Sequence, residues 1–223
     1  MRRTLSMQWR RWFGVVAASA LLAGCQTAYY ATMEKFGVHK RDILVERVSD
    51  ARDAQEEAKE QFRSALERFS AVLGFQGGDL KEKYEQLNEE FERSEARAEE
   101  VRERIAAVEE VSEALFEEWE EELEQYSNAS LRLSSQRQLT QTKRQYAQLI
   151  KAMRRAEAKI TPVLDAFRDQ VLFLKHNLNA RAIASLKGEL AGVESNVASL
   201  IRDMERSIRE ANRFIDAMNR SNG

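Results

Sequence analysis

The sequence contains little of what most folds use to turn the chain. It has one proline, Pro162, and nine glycines in 223 residues. Strand-rich folds need a turn roughly every 8–12 residues, and proline and glycine are the commonest turn formers. The composition therefore excludes a strand-rich fold. Because 32% of the residues are charged, it favours long, solvent-exposed helices.

Cysteine is equally scarce, since Cys25 is the only one and no disulfide can form within the chain. It follows a basic segment and the apolar run "FGVVAASALL", which is too short to span a bilayer and is typical of a secretory signal peptide. Leu22, Ala23 and Gly24 then precede it, and this ending resembles the bacterial lipobox. We expect residues 1–24 to be cleaved and Cys25 to carry the lipid. The alternative is a free thiol inside a cytosolic domain.

The residues after the cysteine indicate a location in the cell envelope. Two or three acyl chains anchor a protein stably without crossing the membrane. Gln26 stands where lipoproteins of the inner membrane carry aspartate, which favours the outer membrane and its periplasmic side. Residues 25–40 form the predicted juxtamembrane segment. Its Tyr29, Met33 and Phe36 lie on one helical face, either at the lipid headgroups or over the open end of the folded part.

Residues 41–220 contain four runs in which apolar residues recur in alternating steps of three and four. Such a spacing, averaging 3.5 residues over many heptads, is typical of coiled coils, and short connections make consecutive helices antiparallel. The sequence predicts an all-α fold: an elongated antiparallel four-helix bundle, or coiled-coil rod, with long helices. The runs extend from Leu44 to Val72, from Leu80 to Tyr126, from Leu139 to Asn177 and from Ile183 to Met218, separated by "GFQGGD", "SNAS" and "HNLNAR".

The third run keeps its phase across Pro162. This favours a kinked but continuous helix, although a helix ending near Ile160 followed by another that starts at Pro162 fits the pattern as well. Charges support the pairing of the second and third helices. Nine glutamates lie between Glu109 and Glu124, whereas seven bases lie between Arg137 and Lys159. Folding the chain back at "SNAS" places Glu113 near Lys143, so opposite charges select the register.

Two polar residues interrupt the apolar runs at what we expect to be one height of the bundle, namely Gln55 and Ser94. A buried polar layer of this kind fixes the register of a coiled coil. The alternative is a small ligand cavity.

No pattern for catalysis or cofactor binding is present. The two histidines, His39 and His176, lie on separate elements without a Glu-x-x-His motif, and no phosphate-binding loop occurs. The formal net charge is −2, and cleavage before Cys25 would remove four arginines and make the chain more acidic. Nucleic-acid binding is therefore not supported. We expect a non-enzymatic protein without a metal or cofactor.

The predicted turn between the third and fourth helices is rich in particular polar side chains. A plain spacer does not need such a set, so we expect this turn to be a tip that contacts a partner protein of the cell envelope. A homo-oligomer is left open. The tip residues are Lys175, His176, Asn177, Asn179 and Arg181.

Three stretches resemble a family of proteobacterial coiled-coil lipoproteins that is known only as a domain of unknown function. They are "EKFGVHKRDILVERVSDARDAQEEAKEQF", "ALFEEWEEELEQYSNASLRLSSQRQL" and "FRDQVLFLKHNLNARAIASLKGEL". The resemblance implies a lipidated coiled-coil protein but no activity. The expected role is an outer-membrane-anchored periplasmic scaffold, spacer or adaptor. The alternative is a periplasmic carrier or chaperone for an apolar ligand or an unfolded chain.

Overall fold

The computed structural model describes residues 39–73, 80–177 and 179–220, and none of these residues is in a strand. The chain forms long helices that pack on one another, so the predicted all-α helical bundle is confirmed. The helices are α1 (Lys40–Leu73), α2 (Leu80–Leu123), α3 (Ala129–Ala158), α4 (Ile160–His176) and α5 (Ala180–Arg220). The connection "GFQGGD" lies outside the described residues.

Contacts divide the chain into a unit of residues 1–43 and a unit of residues 44–223. In the first unit only residues 39–43 are described. There the amides of Asp42 and Ile43 donate to the carbonyl of His39 at 2.9 and 3.1 Å, which begins α1. The second unit contains the bundle.

Within the bundle α1 and α2 are antiparallel. Arg97 of α2 pairs with Glu57 of α1 at 2.6 Å, and further along α2 Arg104 pairs with Asp50, earlier in α1. The partner moves back along one helix as the position advances along the other. The chain direction therefore reverses between α1 and α2, as the sequence predicts.

The helices α3 and α4 together run antiparallel to α2 in one unbroken register. Contacts on α4 continue the series that begins on α3, so the two helices follow the same direction along the same partner. The pairs are Glu120 with Lys143, Glu109 with Arg154, Arg102 with Thr161 and Glu95 with Arg168.

The break between α3 and α4 is a single turn residue, Lys159, whose φ and ψ of −85° and −13° stay in the helical region. Pro162 explains the position of the break. Proline has no amide hydrogen and its ring clashes with the carbonyl four residues earlier, which here belongs to Ala158, the last residue of α3. The helix is interrupted without a reversal, which combines the two readings that the sequence allowed.

The predicted apolar positions form the core. Every position of the first run, in steps of three and four from Leu44 to Val72, is buried. Across the core Phe62 of α1 stacks on Phe167 of α4, with ring centroids 6.5 Å apart. In the other runs a few positions are only partly buried, among them Phe91, Tyr146 and Leu190, and Tyr126, the last position of the second run, is 40% exposed.

Candidate interaction surfaces

The turn between α4 and α5 brings the five predicted tip residues together. Lys175, His176, Asn179 and Arg181 are exposed, and Asn177 is half-buried. The two asparagines shape the turn, because Asn177 Nδ2 donates to the carbonyl of Phe173 at 2.9 Å and Asn179 Oδ1 accepts from the amide of Ala182 at 3.1 Å. Side-chain capping of this kind satisfies helix-end groups. The charged side chains are left for solvent or a partner.

Two apolar residues next to this tip were not singled out from the sequence. Leu172 and Phe173 are 49% and 38% exposed. They belong to the same apolar run as Leu174, which is buried, but they lie outside its three-and-four spacing. That offset is the signal that could have identified them as surface residues.

The predicted lipidation site cannot be compared with the structure. Cys25 and the recognition residues Leu22, Ala23 and Gly24 lie outside the described residues, and so does the juxtamembrane segment with its aromatic side chains. Among the helices that are described, none combines the length and the apolar character needed to cross a membrane.

The polar positions in the core are buried as predicted, but they are not at one height. Ser94 is fully buried and accepts from Gln61 Nε2 at 3.4 Å, so it lies opposite Gln61 and not opposite Gln55. Gln55 is 0% exposed, and neither atom of its amide has a hydrogen-bond partner. The antiparallel register of α1 and α2 explains the error, since it places Gln55 past Ser94 along α2.

The interior offers little room for a ligand. A cavity between Phe69, Phe91 and Phe167 has a volume of about 10 Å³, which is about the space of one water molecule. A drug-sized ligand needs roughly 300–1,000 Å³. In the described chain, no group of three or more His, Cys, Asp or Glu side chains is arranged to hold a metal ion.

The flank between α2 and α3 is held by opposite charges, as predicted. Lys143 Nζ lies 2.6 Å from Glu120, where the fold-back argument had placed Glu113, so the pairing is shifted along α2. Arg154 pairs with Glu109 through two nitrogens, one at 2.8 Å. Hydrogen bonds from Arg154 to Glu109 and then to Glu157 raise the pKa of Arg154 above its usual range.

Beneath these charges an aromatic pair fills the α2–α3 contact. The ring of Tyr146 meets that of Phe116 edge to face, with centroids 5.4 Å apart. Burial raises the pKa of the Tyr146 hydroxyl above its usual value. The hydroxyl is therefore neutral over the whole physiological range, and this pair contributes apolar packing.

The beginning of α3 extends into solvent. Asn128 caps the helix, its Oδ1 accepting from the amides of Ser130 and Leu131 at 3.0 and 3.3 Å. Leu131 and Leu133 are 56% and 49% exposed. Of the first ten residues of α3, only Ser135 is partly covered, and it accepts from Trp119 Nε1 of α2 at 2.8 Å.

The flank between α3 and α5 carries bases on both helices, which the sequence reasoning missed. On α3 the exposed bases are Arg137, Arg144, Lys151 and Arg155. On α5 they are Arg202, Arg206, Arg209 and Arg213. We call these eight residues the α3–α5 basic surface. Only the packing of α3 against α5, which a single sequence does not display, brings the two rows together.

The fold and its surfaces define the chain as an all-α helical bundle. The described residues show no catalytic centre. A family model described as "Protein of unknown function (DUF2959)" matches residues 29–218, and the chain belongs to this family. This confirms the uncharacterised family that the sequence resembles. No curated protein and no solved structure matches the chain.

Proposed function

We propose that the protein is a non-enzymatic lipoprotein, anchored by Cys25 in the outer membrane and facing the periplasm, whose helical bundle acts as a scaffold, spacer or adaptor. The observation that carries this proposal is the closed core. Most apolar positions of the four runs are buried, and the space between the aromatic rings of the core is about 10 Å³. A closed bundle displays its surface and its ends, and these are where a scaffold binds its partners.

The anchor is supported by the sequence around Cys25, where a basic segment, an apolar run and Leu22, Ala23 and Gly24 precede the only cysteine. A Cys25→Ser variant should no longer fractionate with outer membranes, because the acyl chains would have no attachment point. Thr27→Ser, which keeps the cysteine, is the matched control and should behave as the wild type. If Cys25→Ser still fractionates with outer membranes, the anchor is wrong.

The adaptor role is supported by the tip, where three charged or titratable side chains are exposed without a described partner: Lys175, His176 and Arg181. Crosslinking in cells from this turn should capture a periplasmic protein. The combined variant Lys175→Gln, His176→Asn and Arg181→Gln should lose that product, whereas Lys187→Gln, further along α5, should keep it. A neighbour that persists in the triple variant would remove the tip from the proposal.

The alternative role, a carrier or chaperone for an apolar ligand or an unfolded chain, requires the bundle to open. The core and its small cavity favour the scaffold. Native mass spectrometry of the purified protein distinguishes the two roles: a carrier should retain lipid or peptide of varied mass, and a scaffold should give the mass of the lipidated chain alone.

A further inference from the structure

The α3–α5 flank differs in its charges from the contacts that α2 makes with its neighbours. Opposite charges face each other across α1–α2, α2–α3 and α2–α4, for example in the pairs of Arg97 with Glu57, Arg154 with Glu109 and Arg168 with Glu95. Among the residues of α3 and α5 that the structure describes, no ion pair crosses between the two helices. Both helices carry exposed bases on this flank instead, and on α5 the acids Asp203, Glu205 and Glu210 lie among them.

The row on α3 follows the outward side of the helix. Arg137, Arg144 and Lys151 are spaced by seven residues, which is about 10 Å along a helix, and Arg155 adjoins them one turn further on. All four side chains are exposed, and none forms an ion pair or hydrogen bond with another described residue. The helix carries seven bases and one acid between Ala129 and Ala158, so little in its own sequence neutralises the row.

The row on α5 lies on the outward side of the helix, away from the buried Leu200 and Met204, with Arg206 and Arg213 nearest to α3. Asn212 marks the side towards α1, because its Oδ1 accepts from Arg52 of α1 at 3.3 Å. At 100° per residue, Arg206 and Arg213 lie more than a quarter-turn from Asn212, towards α3. Arg213 pairs with Glu210 of its own helix at 2.8 Å, whereas Arg206 has no described partner. Two rows of like charge therefore lie side by side.

Like charges in adjacent rows repel each other, and an anionic surface placed over both rows would remove that repulsion. Arginine suits phosphate in particular, because its guanidinium donates two parallel hydrogen bonds to phosphate oxygens. The surface is two helices wide. It also contains an apolar residue, since Leu133, 49% exposed, precedes Arg137 by one turn on the outward side of α3. On a lipid surface, an exposed leucine beside bases adds apolar contact to the electrostatic attraction for anionic lipid.

We propose that the α3–α5 basic surface binds the headgroups of anionic phospholipids, so that the bundle lies with this face against the bilayer. The choice of a lipid surface rests on the proposed function, which tethers the chain to a membrane. Charge complementarity and Leu133 favour lipid over an acidic protein, because an acidic partner gives no role to a leucine among the bases.

The test measures how close this face comes to the bilayer. Gln148, exposed on α3 between Arg144 and Lys151, is replaced by an environment-sensitive fluorescent amino acid in the full chain. The protein is reconstituted into vesicles of phosphatidylcholine, with or without phosphatidylglycerol, containing a headgroup-labelled quenching lipid. Quenching should be about fivefold stronger with phosphatidylglycerol at about 0.1 M salt and should fall to the phosphatidylcholine level at about 0.5 M. The same label at Ala106, exposed on α2, should show no such difference.

Charge variants identify the residues responsible. Arg144→Gln, Lys151→Gln and Arg155→Gln together should abolish the effect of phosphatidylglycerol. The matched variant Lys175→Gln, Arg181→Gln and Lys187→Gln changes the net charge equally but should leave the effect intact. Circular dichroism shows whether each variant is folded.

Equal quenching in both kinds of vesicle overturns the proposal. Quenching that depends on protein concentration also overturns it, because it would indicate that a second copy binds through its acidic α2. Mass spectrometry of Cys25 tests the anchor separately.

Discussion

Helix α3 forms two helix contacts that follow different rules. Towards α2 it presents Lys143 and Arg154, which pair with Glu120 and Glu109. Towards α5 and solvent it presents a row of bases that forms no described ion pair with α5. The apolar core is continuous under both flanks. The contrast shows that the core sets the packing of this bundle, while opposite charges set the register on the α2 side and have no such role on the α5 side.

The largest expected effect comes from a substitution in the apolar core, which lies beneath both flanks. Met153 of α3 is 0% exposed and lies in the core beneath both flanks. Met153→Ala should lower the free energy of unfolding by about 2–5 kcal/mol, because it removes buried methylene and thioether groups and leaves a cavity. Urea unfolding followed by circular dichroism measures the loss. Leu133→Ala, on the same helix but 49% exposed, is the control and should cost less than about 0.5 kcal/mol. Equal costs would mean that α3 is not packed at Met153.

The second prediction concerns the α2–α3 flank alone. Arg154→Glu places an acid beside Glu109 and should lower the free energy of unfolding by about 1 kcal/mol, because an exposed favourable pair becomes a repulsive one. Adding Glu109→Arg restores opposite charges and should recover most of the loss. The double-mutant cycle is measured at low and at high salt. Additive effects of the two substitutions would contradict the pairing.

The fold was predictable from the sequence because a heptad pattern depends only on spacing within one chain. The positions from Leu44 to Val72 were assigned to the core from their steps of three and four, and all are buried. The turn at Asn128 was also predictable, since short polar side chains such as asparagine cap helices. The break at Lys159 follows from Pro162, but the spacing alone could not place it to the residue.

Features that depend on two helices at once were harder to predict. Lys143 pairs with Glu120 and not with Glu113, because a fold-back about the turn does not fix how far one helix is shifted along the other. Ser94 meets Gln61 for the same reason. The bases of α3 were visible in the sequence, but only the contact with α5 shows that they join a second row.

The smallest expected effect compares the two flanks of α3 through the same substitution, glutamine to glutamate, made once on each flank. Gln148 and Gln136 are both exposed, and their spacing from Arg154 places Gln136 towards α2 and Gln148 towards α5. Gln148→Glu puts an acid between Arg144 and Lys151, whereas Gln136→Glu puts one beside the glutamates at the end of α2. The Gln148 variant should therefore be the more stable of the two by about 0.5 kcal/mol at low salt, and the difference should shrink at high salt. Paired urea titrations resolve this. If the Gln136 variant were equally or more stable, the flank towards α5 would not be the basic one, and the lipid-binding surface would lose its electrostatic basis.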